Sequence, residues 1–368
     1  MRVALLHYWL TNMRGGEMVL AELCELFPEA DIFTHAFAAD KVASLFSRHK
    51  VRETFIGRLP GARRNCQKYL PLMPAALARL DLREYDLLIS SESGPVKGVK
   101  KAPGAKHICY CHTPMRYLYD MYDVYYRDAG PAGKLAMKLF RKPLTRYDLR
   151  SAESVDLFIA NSTFVAERIR RIYGRESTVV HPPVDVEFFA QVPPGTPKED
   201  FYLVAGACVP YKHPELAIEA CRRMGRKLVV AGSGPLWKKL RKNAGAEAVF
   251  IPSPSKEELR RLYASARALL FPGIEDFGIV PVECQAAGTP VIACGAGGAL
   301  DTVRPGRSGL FFEEQTVETL CRAIEEFEGR RWESALCRES AERFTREVFR
   351  RKFMLAAAPF LPSADEKR

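Results

Sequence analysis

Apolar positions fall into short unbroken runs separated by stretches with helical spacing. Val3–Leu6, Asp86–Ser90, His107–Cys111, Asp156–Ala160 and Thr178–Val180 read as strands buried on both faces. A helix is predicted from about Gly16 to Phe27, with Val19, Leu20, Leu23, Leu26 and Phe27 on one face. Another follows Asn161, with Ser162 as N-cap and Val165, Ile169 and Ile172 at i, i+4 and i+7. Gln191–Asp200, rich in proline, glycine and charge, reads as a linker. Beyond it the alternation resumes. Phe201–Ala205, Lys227–Ala231, Ala248–Ile251 and Ala268–Phe271 are apolar, Leu216–Arg223 and Glu257–Ala264 are helical, and a last helix is expected over Arg346–Ala358. Strands alternating with helices imply parallel sheets. Two such blocks around a linker predict two doubly wound α/β domains, whose ligands bind at the carboxyl ends of strands, by default in a cleft between the domains.

The composition fits this picture. Of 368 residues, 47% are hydrophobic and 27% charged, which excludes long disorder, collagen-like repeats and coiled coil. The formal net charge of +11 points to an anionic partner: nucleic acid, lipid headgroups or a phosphorylated substrate. No run reads as a membrane span or signal peptide. Val3–Leu10 is short and contains His7, and the charge-free stretch Cys284–Leu300 is broken by Gly288, Pro290, Gly295, Gly297 and Gly298. The protein is therefore expected in the cytoplasm, with its ten cysteines reduced and, as at Cys208, Cys284 and Cys294, filling core.

Five groups of residues can carry chemistry. Arg14-Gly15-Gly16-Glu17 opens the first helix, where glycines let backbone N–H groups approach a phosphate; the plain alternative is a tight turn needing positive φ. Glu275 and Glu283 flank a loop and a short helix start; each carboxylate can accept two hydroxyl hydrogen bonds, as a sugar and a ribose offer, or can simply be solvated. Lys212, shortly after a strand, can neutralise phosphate or be an ordinary surface lysine. In His107–Arg116, Cys109 and Cys111 point to one face of a strand; without a second Cys/His cluster they are expected in the core, and His112, just past the strand, is a better site candidate than His107. Finally, Phe55–Arg83 and Lys134–Arg150 mix basic and apolar residues. They suit either an anionic membrane surface or a solvated face over core, and the sequence leaves both open.

These pieces occur together in a known order. The chain resembles retaining glycosyltransferases of glycosyltransferase family 4, on the Glu-x7-Glu of EDFGIVPVECQAAGTPVIA, the Gly-Gly-Glu loop, HTPMRYLYD, NSTFVAERIRRIYGRESTVVHPPVD, VPYK and GSGP. ICYCHTPMRYLYD and EDFGIVPVE are most similar to bacterial GDP-mannose-dependent mannosyltransferases that build O-antigen or exopolysaccharide units. The resemblance implies a GT-B architecture, two Rossmann-like domains facing across a cleft. Residues 1–190 would bind the acceptor, 191–200 link, and 201–345 bind the nucleotide sugar, with the helix 346–368 packing back on the first domain. It implies that Gly15 and Gly16 lie near the donor diphosphate and that His112 contacts the transferred sugar near its 6-hydroxyl. Lys212 would stabilise the leaving diphosphate, Glu275 with the backbone of Phe277, Gly278 and Ile279 would hold sugar hydroxyls, and Glu283 would bind ribose. It also implies hexosyl transfer with retention, GDP-mannose as substrate rather than a cofactor, and a glycan or polyprenyl-diphosphate-linked acceptor. The absence of Asp-x-Asp is consistent with a metal-independent enzyme.

One departure stands out. The family usually carries an arginine right after the glycine at Gly206; here Ala207 stands there, and Arg116 is the candidate substitute. A binding protein with a degenerate site is therefore the second reading. A nucleic-acid-binding protein ranks last, since no recognisable module accompanies the basic charge.

Overall fold

The computed structural model describes residues 1–193 and 196–361. The chain divides into two compact units, Met1–Pro183 with the segment from Phe349 on, and Val184–Val348. The first unit holds a parallel sheet of seven strands: β1 (Val3–His7), β2 (Asp31–Thr34), β3 (Val51–Glu53), β4 (Leu87–Glu92), β5 (Lys106–Cys111), β6 (Leu157–Ala160) and β7 (Ser177–Val179), in the order β3-β2-β1-β4-β5-β6-β7. The second holds six: β8 (Tyr202–Ala207), β9 (Leu228–Ser233), β10 (Ala248–Pro252), β11 (Leu269–Phe271), β12 (Val291–Cys294) and β13 (Gly309–Phe312), in the order β10-β9-β8-β11-β12-β13. Both are doubly wound α/β sheets, as the alternation predicts.

The apolar runs explain the central strands. Leu87, Leu88 and Ile89 of β4 are fully buried, and each such side chain contributes about 1.5–3 kcal/mol of burial. Helix ends follow local chemistry. The Ser162 hydroxyl accepts the Val165 N–H at 3.1 Å to start the helix Thr163–Tyr173, which Gly174 closes at φ 62°. Ser255 and Glu258 exchange reciprocal bonds at the start of the helix Lys256–Ser265.

Several expectations change. The boundary between units falls at Val184, not within 191–200, because Val184, Val186 and Phe189 are buried in the second unit's core. The expected linker is tied down at its far end: the Lys198 ammonium donates to Ala264 O at 2.8 Å and to the Thr289 hydroxyl, while Pro194 and Gly195 lie outside the described residues. The last helix runs Arg346–Ala357; its Phe349, Phe353 and Ala357 sit in the first unit's core, and 362–368 lie outside the described residues. Strands β2, β3, β12 and β13 carry no clear signal of their own. The basic stretch 134–150 lies within one long helix, Pro131–Glu153, and Phe55–Arg83 folds as two 3-10 turns and the short helix Met73–Leu77. Of the ten cysteines, all unpaired, nine are buried, including Cys109 and Cys111. No helix among the described residues is long and apolar enough to cross a membrane.

Candidate functional site

In each sheet the strand order reverses beside the first strand of the unit, between β1 and β4 and between β8 and β11. Crevices at such switch points, past the carboxyl ends of the strands, are where open α/β sheets take ligands. The candidate residues collect there.

In the second unit, β8 ends at Ala207 and the chain turns through the 3-10 segment Pro210–Lys212. Gly206 has φ 109°, and a Cβ on it would lie 3.3 Å from Lys212 Nζ, so glycine both permits the backbone and leaves room for the ammonium. Gly273, just after β11, is set against Lys212 itself: a Cβ there would meet Lys212 Cα at 2.6 Å. This approach brings the Lys212 ammonium to 2.8 Å from Glu275 Oε1, with both side chains 18% exposed. The Glu275 loop is fixed from behind, since its carbonyl accepts the Gly298 N–H at 2.8 Å and a Cβ on Gly298 would lie 2.3 Å from Phe277 Cα.

Phe277 is buried, Gly278 adopts φ 88°, and Ile279 opens the helix Ile279–Ala286, which has no side-chain cap. Glu283 lies one turn into this helix rather than near its start. The Tyr263 hydroxyl donates to Glu283 Oε2 at 3.0 Å. Burial pushes the Glu283 carboxyl up to about 7, and Asp185 pushes the same way, against the Tyr263 hydrogen bond and the Lys256 and Lys212 charges. Lys212, Glu275 and Glu283 thus form one charge cluster: a cation for an anionic ligand and two carboxylates for hydroxyls. Sequence reasoning missed Tyr263, an aromatic at helical spacing with no signal of its own.

The sign of the Glu283 shift gives a testable result. A carboxyl raised from about 4.5 to about 7 takes stability away as pH climbs through that window and leaves it intact below. Glu283→Gln is expected to raise thermal stability at pH 8 by about 1–2 kcal/mol, to change it little at pH 4.5, and to weaken nucleotide binding. Melting curves at the two pH values check this; equal shifts at both would remove the charge as the cause.

In the first unit, Gly15 and Gly16 are the first two residues of the helix Gly15–Leu26, not a loop. Neither has positive φ, so the tight-turn explanation fails. Gly16 is required for space, since a Cβ would lie 2.4 Å from Tyr8 Oη. Glu17 reaches back to the N-cap, its Oε2 accepting the Arg14 N–H at 2.9 Å. His112, partly exposed just past β5, has its Nε2 2.8 Å from Ser91 Oγ, and burial of most of its ring lowers its pKa to about 3. His107 is sealed in the core against Ser90 Oγ at 2.9 Å. Arg116 sits 3.9 Å from Met121 Sδ, in a different unit from Ala207, which is exposed at the end of β8. His7 and Ser91 were missed, because the parallel register alone sets His7 beside Ser91, and Glu17 was named in the first motif without a role of its own.

A model of the glycosyl transferases group 1 matches residues 185–347, and one of Glycosyltransferase Family 4 matches 13–188. A D-inositol 3-phosphate glycosyltransferase of Nocardioides sp. is 30% identical over 198 residues, 44% of this chain and 43% of that protein. One from Streptomyces bingchenggensis is 29% identical over 285 residues, 60% and 63%. The chain thus spans less than two thirds of the length of these curated relatives. Among solved structures, Anabaena HepE in complex with UDP superposes with a TM-score of 0.68 at 16% identity, over 98% of this chain and 100% of that one, a likeness of fold. The second unit thus matches the group 1 glycosyl transferases and the first matches Glycosyltransferase Family 4, and with both sheets doubly wound the fold is of GT-B architecture.

Proposed function

We propose that the chain is a retaining hexosyltransferase that moves mannose from GDP-mannose to a lipid-linked or oligosaccharide acceptor in cell-surface polysaccharide synthesis. The observation that carries this reading is the Lys212–Glu275 ion pair at the switch point of the second sheet, with Glu283 within its field. Cleaving the bond between the sugar C1 and the diphosphate oxygen leaves negative charge on the diphosphate. Lys212 neutralises it, aided by the uncapped first turn of the helix Ile279–Ala286. Glu275 releases Lys212 to the diphosphate and accepts sugar hydroxyls, with Phe277, Gly278 and Ile279 offering backbone beside it. Glu283 accepts ribose hydroxyls. The acceptor oxygen bonds to C1 on the face the diphosphate leaves, and its proton passes to the departing phosphate oxygen. Gly15, Gly16 and His112 serve from the first unit, His112 as a contact to the sugar. No metal and no cofactor enters this scheme.

Mannose and GDP are favoured by ICYCHTPMRYLYD and EDFGIVPVE; the curated relatives are named for D-inositol 3-phosphate, and HepE was solved with UDP. The deciding experiment is a thermal-shift panel of GDP-mannose, UDP-glucose and other nucleotide sugars, since ligands of the folded state raise its apparent stability. It is followed by transfer to polyprenyl-diphosphate glycans and to inositol 3-phosphate. Stabilisation by GDP-mannose and transfer to the lipid-linked glycan support the proposal. Stabilisation by a UDP-sugar alone, or transfer to inositol phosphate alone, overturns the donor or the acceptor.

Ala207 favours a second reading, a site that binds a sugar nucleotide without efficient transfer. Removing one group of this kind costs ~3 kcal/mol in a barrier. Ala207→Arg, at an exposed position, is therefore expected to raise turnover about tenfold or more. Unchanged or lower turnover would show that the second cation is already supplied, with Arg116 as the first residue to test.

The helix Pro131–Glu153 also supports a peripheral membrane location on the cytoplasmic face. Leu135 and Leu139 are 69% and 64% exposed, with Lys138 and Lys142 exposed among them. Co-sedimentation with anionic vesicles that falls away with salt is expected; equal binding to neutral vesicles, or none to either, refutes it.

A further inference from the structure

The first unit carries a chain of buried side chains of which the transfer scheme uses only the last. β1 and β4 run in register with His7 beside Ser91. His7 Nδ1 lies 3.1 Å from Ser91 Oγ, and that oxygen lies 2.8 Å from His112 Nε2. On the far side, His7 Nε2 makes no hydrogen bond and faces Glu17 Oε1 3.8 Å away, and the His7 and Glu17 side chains are 0% and 3% exposed. Gly16 keeps this arrangement closed. Its missing Cβ would lie 3.5 Å from His7 Cε1, and the space admits the Tyr8 ring, centred 4.2 Å from the His7 ring.

Counting protons along the chain fixes its direction. A carboxylate only accepts, a neutral imidazole carries one N–H, and a serine has one O–H. Glu17 accepts the Arg14 N–H through Oε2, and its Oε1 is the oxygen that faces His7. An acceptor oxygen 3.8 Å away attracts an N–H and repels a lone pair, so the single N–H of His7 faces Glu17 from Nε2, and its Nδ1 is left with a lone pair. Ser91 must donate its proton to that lone pair. The Ser91 oxygen then accepts, and the only group left to donate is the Nε2–H of His112. The proton of His112 is thereby placed on Nε2.

We infer that Glu17, His7 and Ser91 are positioning residues that hold His112 as its Nε2–H tautomer, so that His112 Nδ1 presents a lone pair to a hydroxyl donor. The ligand class follows from the polarity of that nitrogen. A sugar or polyol hydroxyl can donate to it, whereas a phosphate oxygen, itself an acceptor, is repelled. The depressed His112 pKa works the same way, because a neutral ring cannot act as counter-charge to a diphosphate. The inference rests on the reading of His112 as a sugar contact and specifies the atom and the direction of that hydrogen bond.

Long-range proton–nitrogen correlation spectra of the full chain, labelled with nitrogen-15 at histidine and free of substrate, test it without relying on activity. His112 signals are assigned by their loss in His112→Asn. The expected pattern is a protonated, pyrrole-type Nε2 and a bare, pyridine-type Nδ1 for His112, and the same for His7. Ser91→Ala should convert His112 to a tautomer mixture and raise KM for the sugar nucleotide several-fold, and Ser91→Thr, which keeps the hydroxyl, should restore both. A protonated Nδ1 on His112 in the wild type overturns the inference, as does an unchanged His112 pattern in a folded Ser91→Ala protein. If Ser91→Ala does not fold, the wild-type spectrum decides alone. The expected spectrum in a protein that transfers no sugar from any donor leaves the relay standing and removes the transfer reading.

Discussion

Lys212→Ala is expected to lower sugar transfer by about 10²–10³-fold while leaving the fold in place. In the proposed transfer, charge develops on the departing diphosphate in the transition state, and a fixed cation aimed at that charge is worth ~3–4 kcal/mol of barrier. The usual second cation is replaced by Ala207, so Lys212 carries more of this task than it would beside an arginine. The fold should survive. Lys212 sits in a 3-10 turn past the end of β8, and its partner Glu275 is 18% exposed, so the carboxylate left behind can be hydrated. The measurement is kcat and KM with the donor that stabilises the protein most, alongside a melting curve. A fall in kcat with a modest rise in KM places the interaction in the transition state. Wild-type turnover in a folded variant would remove Lys212 from the chemistry. Glu275→Gln makes a useful contrast: it keeps the ammonium but removes its charged partner, so it should raise KM for the donor more than it lowers kcat.

The sequence carried the central strands and the candidate residues of both units for a physical reason. Strands buried on both faces, such as β4 and β5, are apolar through much of their length, and the runs Asp86–Ser90 and His107–Cys111 could be read directly. β12 could not. Its Val291–Cys294 lies inside a long charge-free stretch where neither period stands out. The helix Pro131–Glu153 was obscured by Pro143 within it and by leucines, Leu135 and Leu139, on its exposed side. The site residues were marked by their types and by the spacing of Glu275 and Glu283, but the contacts that arm them depend on tertiary register. Lys212 meets Glu275 because Gly273 admits the Lys212 backbone, and His7 meets Ser91 because two strands far apart in sequence pair in parallel. A glycine's reason for being there was also hidden. The pair at 15 and 16 suggested a positive φ, whereas the structure uses Gly16 to seat a tyrosine ring.

The largest effect on stability is expected one residue past the relay, at the end of β4. Glu92 and Asp148 are both buried at 1% exposure and share one ammonium, that of Lys97. Lys97 donates to Glu92 through Nζ at 2.6 Å and through its backbone N–H at 2.5 Å, and its ammonium also binds Asp148. Tyr119 and Tyr173 complete Asp148 with hydroxyls at 2.7 and 2.9 Å. Burial holds the Glu92 carboxyl up at about 7; Asp148 pushes it further and Lys97 opposes. Lys97→Met keeps the length and apolar character of the stem but strands two carboxylates without their cation. Breaking a buried ion pair from one side costs about 3–5 kcal/mol, enough to lower the melting temperature by about 10 °C. The pH dependence identifies the cause. Without the ammonium, the folded pKa of the Glu92 carboxyl rises further above its unfolded value. The variant then loses stability as pH climbs from the unfolded value near 4.5 through the raised folded value. The gap from wild type should therefore be widest at pH 8 and should narrow toward pH 5, as the stranded Glu92 carboxyl takes up a proton. Adding Asp148→Asn and Glu92→Gln to Lys97→Met should recover part of the loss at pH 8, because neutral amides remove the uncompensated charge. A gap below about 1 kcal/mol, or one of equal size at both pH values, would show that packing of the stem rather than its charge is what Lys97 contributes.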